Sequence, residues 1–406
     1  MQVAAWEEAR LRQLIPLDFP PAAEAMSDLV WRYHLDPMSF LDPAAGTAVC
    51  ATAKGRGPSQ GDLLRFSPVG QITLLNFTDL HAQLVPIYFR EPSVNIGVGD
   101  AKGLPPHLVG ERLLADYRIG RGTYDAYALA CTDFDGLART YGRMGGLDRL
   151  ATLIGAIRAE RPGKVLLLDG GDTWQGSYTS LQSRGADMVG IMNALGVDAM
   201  TAHWEFTYGA KRVEELVKQL RFPFLAGNVK EATWGDAVFQ PRAIFERGGL
   251  RIGVIGQAFP YTPIANPRYM IPDWSFGIEE EKLRARVNDL RDSGVDLVVL
   301  LSHNGMDVDL KLASRVSGLD AILGGHTHDG VPVPVVVRFD YNGKVPGAKE
   351  RAIRHGQRVQ QAIETRYADL FQQGLLHALL TVRDQERHTP AEAVGSTITF
   401  PSGGGH

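Results

Sequence analysis

The stretch VLLLDGGD, residues 165–172, contains the pattern that decides the fold: a short apolar run that ends in glycines and carboxylates. A run of this length between Gly and Asp is typical of a buried β-strand. Four other runs have the same character, at residues 72–77, 251–255, 297–301 and 321–323. We therefore expect five buried strands, each followed by a loop.

Amphipathic stretches separate these runs along the chain. Apolar residues recur three and four positions apart, as they do on surface helices, within residues 147–161, 187–195, 210–220, 278–293 and 307–316. The alternation of strands and helices predicts a layered α/β domain.

The composition is that of a globular protein with a sizeable core. The 406 residues are 44% hydrophobic and 22% charged, with a net charge of −4 and no Lys/Arg run that would indicate nucleic-acid binding. No apolar run approaches the roughly 20 residues of a membrane helix, and residues 1–8 do not predict an export signal. Cys50 and Cys131 leave the formation of a disulfide open.

The composition and residue spacing of the sequence change along the chain and divide it into three parts. Residues 1–70 are rich in Pro, Ala and Asp and include a linker-like stretch at 54–61, which predicts an N-terminal extension. The α/β domain is expected over residues 71–334. Residues 335–406 form a divergent tail, for which the apolar spacing over 348–383 predicts a helix interrupted by Gly356 and Gly374.

Polar side chains follow the predicted strands at the points where they end. The segments concerned are Asp79-Leu80-His81, Asp169-Gly170-Gly171-Asp172, His203, Ser302-His303-Asn304 and Gly324-Gly325-His326-Thr327-His328. Open α/β sheets place their sites at the carboxyl ends of strands, so these side chains are expected to meet. Residues two apart in an extended chain share a face, which predicts that the two side chains of each Asp-x-His or His-x-His pair point the same way. Carboxylates with imidazoles suit a pair of Mn, Fe or Zn ions better than a structural zinc site, which favours Cys.

This ordered set of motifs resembles the calcineurin-like metallophosphoesterases, and within them the 5'-nucleotidase branch, over residues 71–330. The resemblance implies a four-layer α-β-β-α sandwich that holds two metal ions. It implies that one ion is held by Asp79, His81, Asp172 and His328. It implies that the other is held by Asp172, His203, His303 and His326, so that Asp172 bridges the two.

The segment Ala202-His203-Trp204-Glu205-Phe206 departs from the branch. Aligned on the G-N-H-E-F of the nucleotidases, it has His203 where Asn ligates a metal and Trp204 where a catalytic His assists the leaving group. Such a substitution resembles the SoxB-type thiosulfohydrolases of the Sox sulfur-oxidation system. Further similar stretches are FTDLHAQLVPIYFREPSVNIGVG (77–99), GGDTWQGS (170–177), HWEFTYG (203–209), GQAFPYTPIANPRYMIPDW (256–274) and LLSHNGMDVDLKLASRV (300–316).

That resemblance implies a periplasmic dimanganese enzyme. Its expected substrate is a cysteine S-thiosulfonate on a SoxYZ-type carrier protein, from which it releases sulfate. A thiolate or persulfide leaves more readily than an alkoxide, so the reaction does not need a proton donor at this position. Trp204 would provide an apolar wall and one N–H instead. The alternatives are a 5'-nucleotidase-like phosphoesterase and a truncated, inactive metal-binding domain that still docks the carrier.

The resemblance also suggests individual site residues. The catalytic candidates are Asp172, His203, Trp204, Glu205 and Tyr208. The candidates for substrate binding, each with loop structure or packing as its alternative, are Arg90, Asn95, Trp174, Gln175 and Asn304. Asp169 and Glu205 are expected to orient the ligating imidazoles.

Overall fold

The computed structural model describes residues 70–88, 97, 102–104, 106–266, 268–328, 331, 335–337, 379–382 and 394–395. Except for Gly70, the predicted N-terminal extension lies outside these residues, as does most of the predicted tail. Arg90, Asn95 and Cys50 also lie outside them. The two assignments to substrate binding therefore stay predictions, and the question of a Cys50–Cys131 disulfide stays open.

The described residues form helices and strands in alternation. The strands are β1 (Ile72–Phe77), β2 (Val165–Asp169), β3 (Ala199–Met200), β4 (Lys230–Glu231), β5 (Arg242–Arg247), β6 (Leu250–Gln257), β7 (Trp274–Ser275), β8 (Leu297–Ser302), β9 (Ala321–Leu323), β10 (Val335–Val336), β11 (Leu379–Val382) and β12 (Val394–Gly395). The α-helices are α1 (Gly110–Asp116), α2 (Tyr124–Leu129), α3 (Phe134–Tyr141), α4 (Leu147–Glu160), α5 (Tyr178–Ser183), α6 (Ala186–Leu195), α7 (Ala210–Val217), α8 (Thr262–Ala265), α9 (Glu280–Asp292) and α10 (Met306–Arg315). Two 3-10 helices span Trp204–Tyr208 and Arg268–Met270.

The strands form two main sheets. The first has the order β11-β1-β2-β3, with β1, β2 and β3 parallel to one another and β11 antiparallel to β1. The second has the order β10-β12-β9-β8-β6-β5, in which β12, β9, β8 and β6 are parallel. Strands β4 and β7 form a separate antiparallel pair. In both sheets the parallel strands therefore present their carboxyl ends at a common edge.

Side chains that alternate along each central strand hold the layers together. In β2, Leu166 and Leu168 pack against the second sheet, while Val165 and Leu167 pack toward α4, α6 and α7. In β8 the odd-numbered residues face the first sheet, and the even-numbered residues pack against α9 and α10. Both faces of each sheet are buried, which explains why these strands are continuously apolar. The predicted four-layer α-β-β-α sandwich is confirmed.

Helices α1, α2 and α3 lie in a segment between β1 and α4 that has a small core of its own. Tyr127 and Leu113 are fully buried in this cluster, and the rings of Tyr127 and Tyr141 stack with centroids 6.0 Å apart. Helix α2 is capped by Thr123, whose side chain accepts a hydrogen bond from the Ala126 N–H. The sequence patterns predicted none of these three helices.

The predicted elements agree with the structure within a few residues at each end. The five expected strands are β1, β2, β6, β8 and β9, and the five expected helices are α4, α6, α7, α9 and α10. The helix predicted over residues 348–383 is wrong at Leu379–Val382, which form the edge strand β11, and its other residues lie outside the described ones. Within the described part of the chain no helix is both long and apolar enough to cross a bilayer.

Candidate metal centre

The seven predicted ligands converge where strands of both sheets end. They follow β1, β2 and β3 of the first sheet and β8 and β9 of the second. Asp79, His81, Asp172 and His328 form one cluster, and Asp172, His203, His303 and His326 form another. Within each cluster the possible ligand atoms all lie within 4.8 Å of one another, and Asp172 belongs to both. The structure thus brings together the two sets that the resemblance implied.

Left-handed backbone at the ligand positions points the side chains inward. Asp79, His81, Asp172, His326 and His328 have φ values of 55°, 45°, 57°, 83° and 55°. Such values are uncommon for residues other than glycine, and they concentrate at functional sites because the surrounding fold must hold them there. The expectation that these paired residues converge because the chain is extended is therefore wrong.

Backbone hydrogen bonds hold the loops after β1 and β2 together beyond the ends of the strands. The N–H of Asp79 donates to the Gly171 carbonyl at 2.8 Å, and the N–H of His81 donates to the Asp172 carbonyl at 2.7 Å. Residue 325 must be a glycine for its backbone to lie so close to Thr78 and His303. A Cβ there would lie 2.3 Å from Thr78 Oγ1 and 3.0 Å from His303 Nδ1.

Asp172 directs one carboxylate oxygen toward both clusters. Its Oδ2 lies 3.0 Å from His203 Nδ1, 3.1 Å from His303 Nε2 and 3.8 Å from His81 Nε2. Its Oδ1 accepts a hydrogen bond from the Trp204 N–H at 2.6 Å. The position of Oδ2 is the one that a bridging ligand requires.

Backbone carbonyls, not carboxylates, fix two of the imidazoles. His303 Nδ1 lies 2.7 Å from the Gly170 carbonyl oxygen, and His81 Nδ1 lies 3.1 Å from the Gln175 carbonyl oxygen. A carbonyl only accepts, so each Nδ1 carries a hydrogen, and Nε2 is the ring atom left to bind a metal. Asp169 and Glu205 were expected in this role, and for these two rings the expectation is wrong.

Glu205 instead fixes the backbone that carries the ligands. Its fully buried carboxylate accepts hydrogen bonds from the N–H groups of Asp172, Thr173, Trp174 and His203, at 3.3, 2.7, 3.2 and 2.8 Å. These four bonds tie the loop after β2 to the loop after β3. Glu205 thereby positions ligands from two elements and does not itself belong to either cluster.

Asp169 lies behind the centre. Its Oδ1 accepts hydrogen bonds from the Gly171 N–H at 2.9 Å and from Thr173 Oγ1 at 2.7 Å. Burial raises the pKa of Asp169 to about 8. This carboxyl group therefore supports the turn that leads to Asp172.

The electrostatics of the clusters fit divalent cations. Burial opposes ionisation of Asp79 and Asp172, but the nearby imidazoles, including His303, outweigh it and hold the pKa of both carboxyl groups below its ordinary value. Burial also lowers the pKa of His303, yet Asp172 and Asp79 raise it to about 9. Buried carboxylates surrounded by imidazoles thus need positive charge between them.

A second observation points to the same fit. His203 Nε2 is buried and has no hydrogen-bond partner among the described residues, whereas its Nδ1 faces Asp172. Burial, together with the neighbouring His303 and His203, lowers the pKa of His326 to about 3. A neutral imidazole is the form that ligates a metal. The residues present therefore fit a pair of divalent ions.

Two aromatic rings line the cluster that contains His203. Trp204 is half-buried, and its ring centroid lies 5.1 Å from that of His203. The Phe259 ring packs on His203 and His326, with centroids 4.2 and 4.0 Å away. His203 is in a ligand cluster, as the alignment of this segment predicted for the Asn position. No sequence motif marked Phe259, which lies within the similar stretch 256–274.

Several site candidates have structural roles instead. The Trp174 ring is 0% exposed and packs in the core against Phe224, so its burial does not support the predicted substrate-binding role, which stays a prediction. The Tyr208 hydroxyl donates to the Trp174 carbonyl at 3.0 Å and lies 3.0 Å from Ser180 Oγ, so a catalytic role for it is not supported.

The two remaining candidates lie near ligands. Gln175 contributes its carbonyl to His81 Nδ1. Asn304 is buried, and its Nδ2 donates to Gln257 Oε1 at 2.8 Å and to Asp309 Oδ1 at 3.2 Å. Its Oδ1 has no hydrogen-bond partner among the described residues. A role for either side chain in substrate binding stays a prediction.

The chain is similar to a solved sulfate thiohydrolase and to 5'-nucleotidases. The solved structure of the Thermus thermophilus sulfate thiohydrolase SoxB in complex with glycerol is 42% identical, with a TM-score of 0.63 over 68% of this chain and 51% of that one. The 5'-nucleotidase of Bos taurus is 33% identical over 224 residues, which are 50% of this chain and 38% of the relative. The chain thus spans about half of the SoxB chain and less of the nucleotidase.

The C-terminal part of the chain matches a different protein. The family model described as Carboxysome Shell Carbonic Anhydrase, C-terminal, matches residues 306–398. The carboxysome shell carbonic anhydrase of Parasynechococcus marenigrum (strain WH8102) is 56% identical over 84 residues, which are 21% of this chain and 14% of the relative. The match crosses the boundary that the sequence placed at residue 334.

The fold and the ligand clusters, together with these similarities, define the class of the protein. The chain has the fold of the calcineurin-like metallophosphoesterases and two ligand clusters that fit a pair of metal ions. Its similarity to SoxB and to the 5'-nucleotidases supports a SoxB-like member of the 5'-nucleotidase branch.

Proposed function

We propose that this chain is a metal-dependent hydrolase that releases sulfate from a cysteine S-thiosulfonate on a SoxYZ-type carrier protein. The observation that carries the proposal is Trp204, whose ring centroid lies 5.1 Å from that of His203 and which aligns with the catalytic His of the nucleotidase pattern. The similarity to the sulfate thiohydrolase SoxB supports the same substrate class. The carrier and a periplasmic location are parts of this proposal.

The reaction needs one water and no proton donor for the leaving group. The S–S bond to the sulfonate breaks, a new S–O bond forms at the sulfonate sulfur, and the persulfide leaves with the bonding electrons. At neutral pH the products are the persulfide, sulfate and two protons. A persulfide is a weak base, so the absence of an imidazole at 204 costs this reaction less than it costs the cleavage of a phosphate monoester.

The residues of the chain have separate roles in this chemistry. Two divalent cations, Mn²⁺ by resemblance, would be held by the two clusters and would supply Lewis acidity and acidify water. Asp172 belongs to both clusters and would contribute its carboxylate to both ions, and Glu205 keeps the backbone of Asp172 and His203 in place. Trp204 and Phe259 form apolar walls that exclude water from the side of His203.

A second candidate function is hydrolysis of a 5'-nucleotide. The 33% identity to the bovine 5'-nucleotidase favours it. The ligand clusters do not distinguish the two functions, because they are compatible with either substrate. Trp204 argues against it, since an indole cannot protonate an alkoxide. General acid catalysis contributes about 10²–10⁴-fold, so a nucleotidase without that group would be slow.

The test is sulfate release from a synthetic peptide that carries a cysteine S-thiosulfonate. The purified chain is loaded with Mn²⁺, sulfate is measured by ion chromatography, and Asp172→Asn serves as the inactive control. Catalytic sulfate release by the wild-type chain alone is the expected result. Metal-loaded protein that releases phosphate from AMP but no sulfate would support the nucleotidase. Metal-loaded protein without either activity would support an inactive domain.

A further inference from the structure

The two ligand clusters offer different donor atoms. The carboxylate-rich cluster, Asp79, His81, Asp172 and His328, provides two carboxylates and two imidazoles. The imidazole-rich cluster, Asp172, His203, His303 and His326, provides one carboxylate and three imidazoles. Since Asp172 is common to both, the difference lies in Asp79 on one side and the third imidazole on the other.

His203 creates this asymmetry. The aligned nucleotidase pattern has Asn at this position, which would give the second cluster an amide oxygen in place of a ring nitrogen. The structure directs His203 Nδ1 to within 3.0 Å of the bridging Asp172 oxygen, with the ring 1% exposed. The imidazole therefore lies inside the cluster and is not a surface substitution.

The groups that surround the two clusters also differ in polarity. Phe259 packs on the rings of His203 and His326, so an apolar surface covers that cluster. In the carboxylate-rich cluster Asp79 is also held by polar groups, since its Oδ2 accepts from Thr78 Oγ1 at 2.6 Å and from the His326 N–H at 3.1 Å. One cluster has an apolar ring packed on it and is rich in nitrogen, while the other is richer in oxygen.

Donor chemistry connects this asymmetry to metal choice. Imidazole suits Zn²⁺ and Fe²⁺, whereas carboxylate oxygen suits Mn²⁺, and at a given site Mn²⁺ generally binds more weakly than Co²⁺ or Zn²⁺. We propose that the imidazole-rich cluster selects Zn²⁺ or Co²⁺ over Mn²⁺, that the carboxylate-rich cluster takes Mn²⁺, and that His203 determines this division. When both ions are supplied, the chain forms a mixed-metal centre.

This inference rests on the dimetal character of the proposed hydrolase but not on its substrate. A failed thiosulfonate assay would leave it intact, and its own test measures metal binding without turnover. With Mn²⁺ alone both clusters fill, and the two spin-coupled ions give a characteristic electron paramagnetic resonance spectrum.

The experiment adds one equivalent of Zn²⁺ to the metal-free chain, followed by excess Mn²⁺ and removal of unbound ions. The expected product contains one Zn and one Mn per chain by elemental analysis. Its paramagnetic resonance spectrum is that of isolated Mn²⁺, because Zn²⁺ is diamagnetic. A mixture of the coupled Mn pair and a Zn pair would overturn the proposal, and this test needs no variant.

Two variants identify the cluster. In His81→Ala the one equivalent of Zn²⁺ should be retained while Mn²⁺ is lost. In His203→Asn the preference for Zn²⁺ over Mn²⁺ should fall by at least about tenfold. Loss of only the hydrogen-bond partner of a ligating histidine already lowers metal affinity by about 10–100-fold, and here the ligand itself is replaced. An unchanged preference in His203→Asn, with folding verified by circular dichroism, would refute the role of His203.

Discussion

Replacement of Glu205 by Gln tests the claim that one buried carboxylate holds both ligand loops. Oε1 accepts the N–H groups of Thr173 and Trp174, and Oε2 accepts those of Asp172 and His203. Gln keeps one oxygen and turns an NH₂ group toward the other two donors. A buried donor without a partner costs about 1–3 kcal/mol, so two of them should lower the free energy of unfolding by about 2–6 kcal/mol.

The loss is large compared with the roughly 5–15 kcal/mol stability of a typical domain. Urea unfolding followed by circular dichroism measures it, with the exposed Glu214→Gln on helix α7 as the matched control, for which a change within about 0.5 kcal/mol is expected. The variant should also bind metal more weakly, because the backbone of His203 and Asp172 is no longer fixed. A loss below about 1 kcal/mol in Glu205→Gln would refute the reasoning.

Further outcomes follow from other parts of the centre. Asp172→Asn should lose both metal ions and His81→Ala mainly one, as counted by elemental analysis; equal losses would contradict a bridge at Asp172. Phe259→Ala should lower the free energy of unfolding by about 3–5 kcal/mol, as for other large core truncations, and an unchanged urea midpoint would contradict its packing role. Burial raises the pKa of Asp309 to about 7, so the contribution of this group to stability should fall as the pH rises from about 4 to 7. Asp309→Asn should remove this contribution, so that the free energy of unfolding, measured by urea unfolding, depends less on pH between about 4 and 7. A pH dependence equal to that of the wild type would show that Asp309 does not titrate in this range.

The fold could be predicted because its central strands are buried on both faces. Runs such as 165–168 and 297–301 are continuously apolar, and amphipathic helices separate them, so both patterns are visible locally. Helices α1, α2 and α3 were missed because their core is small and is filled partly by tyrosines, whose spacing gives no clear helical pattern. The strand at Leu379–Val382 depends on pairing with β1, a long-range contact that local spacing does not encode.

Ligand positions could be predicted from polar residues at strand ends, but their geometry could not. The positive φ values of Asp79 and His81 depend on hydrogen bonds to the loop after β2, about 90 residues away in the chain. The Gly170 and Gln175 carbonyls that orient the imidazoles have no side-chain signature. The burial of the Trp174 ring could not be predicted, because the sequence pattern near a metal ligand is the same whether an aromatic ring faces the pocket or the core.

The central claim is that Trp204 marks a hydrolase of thiosulfonates and not of phosphate monoesters. The most direct measurement compares kcat/KM for a cysteine S-thiosulfonate peptide and for AMP in the wild-type chain and in Trp204→His, at equal metal content. We expect the wild type to prefer the thiosulfonate, and Trp204→His to gain AMP hydrolysis without losing metal. A wild-type chain that hydrolyses AMP more efficiently than the thiosulfonate would contradict the account.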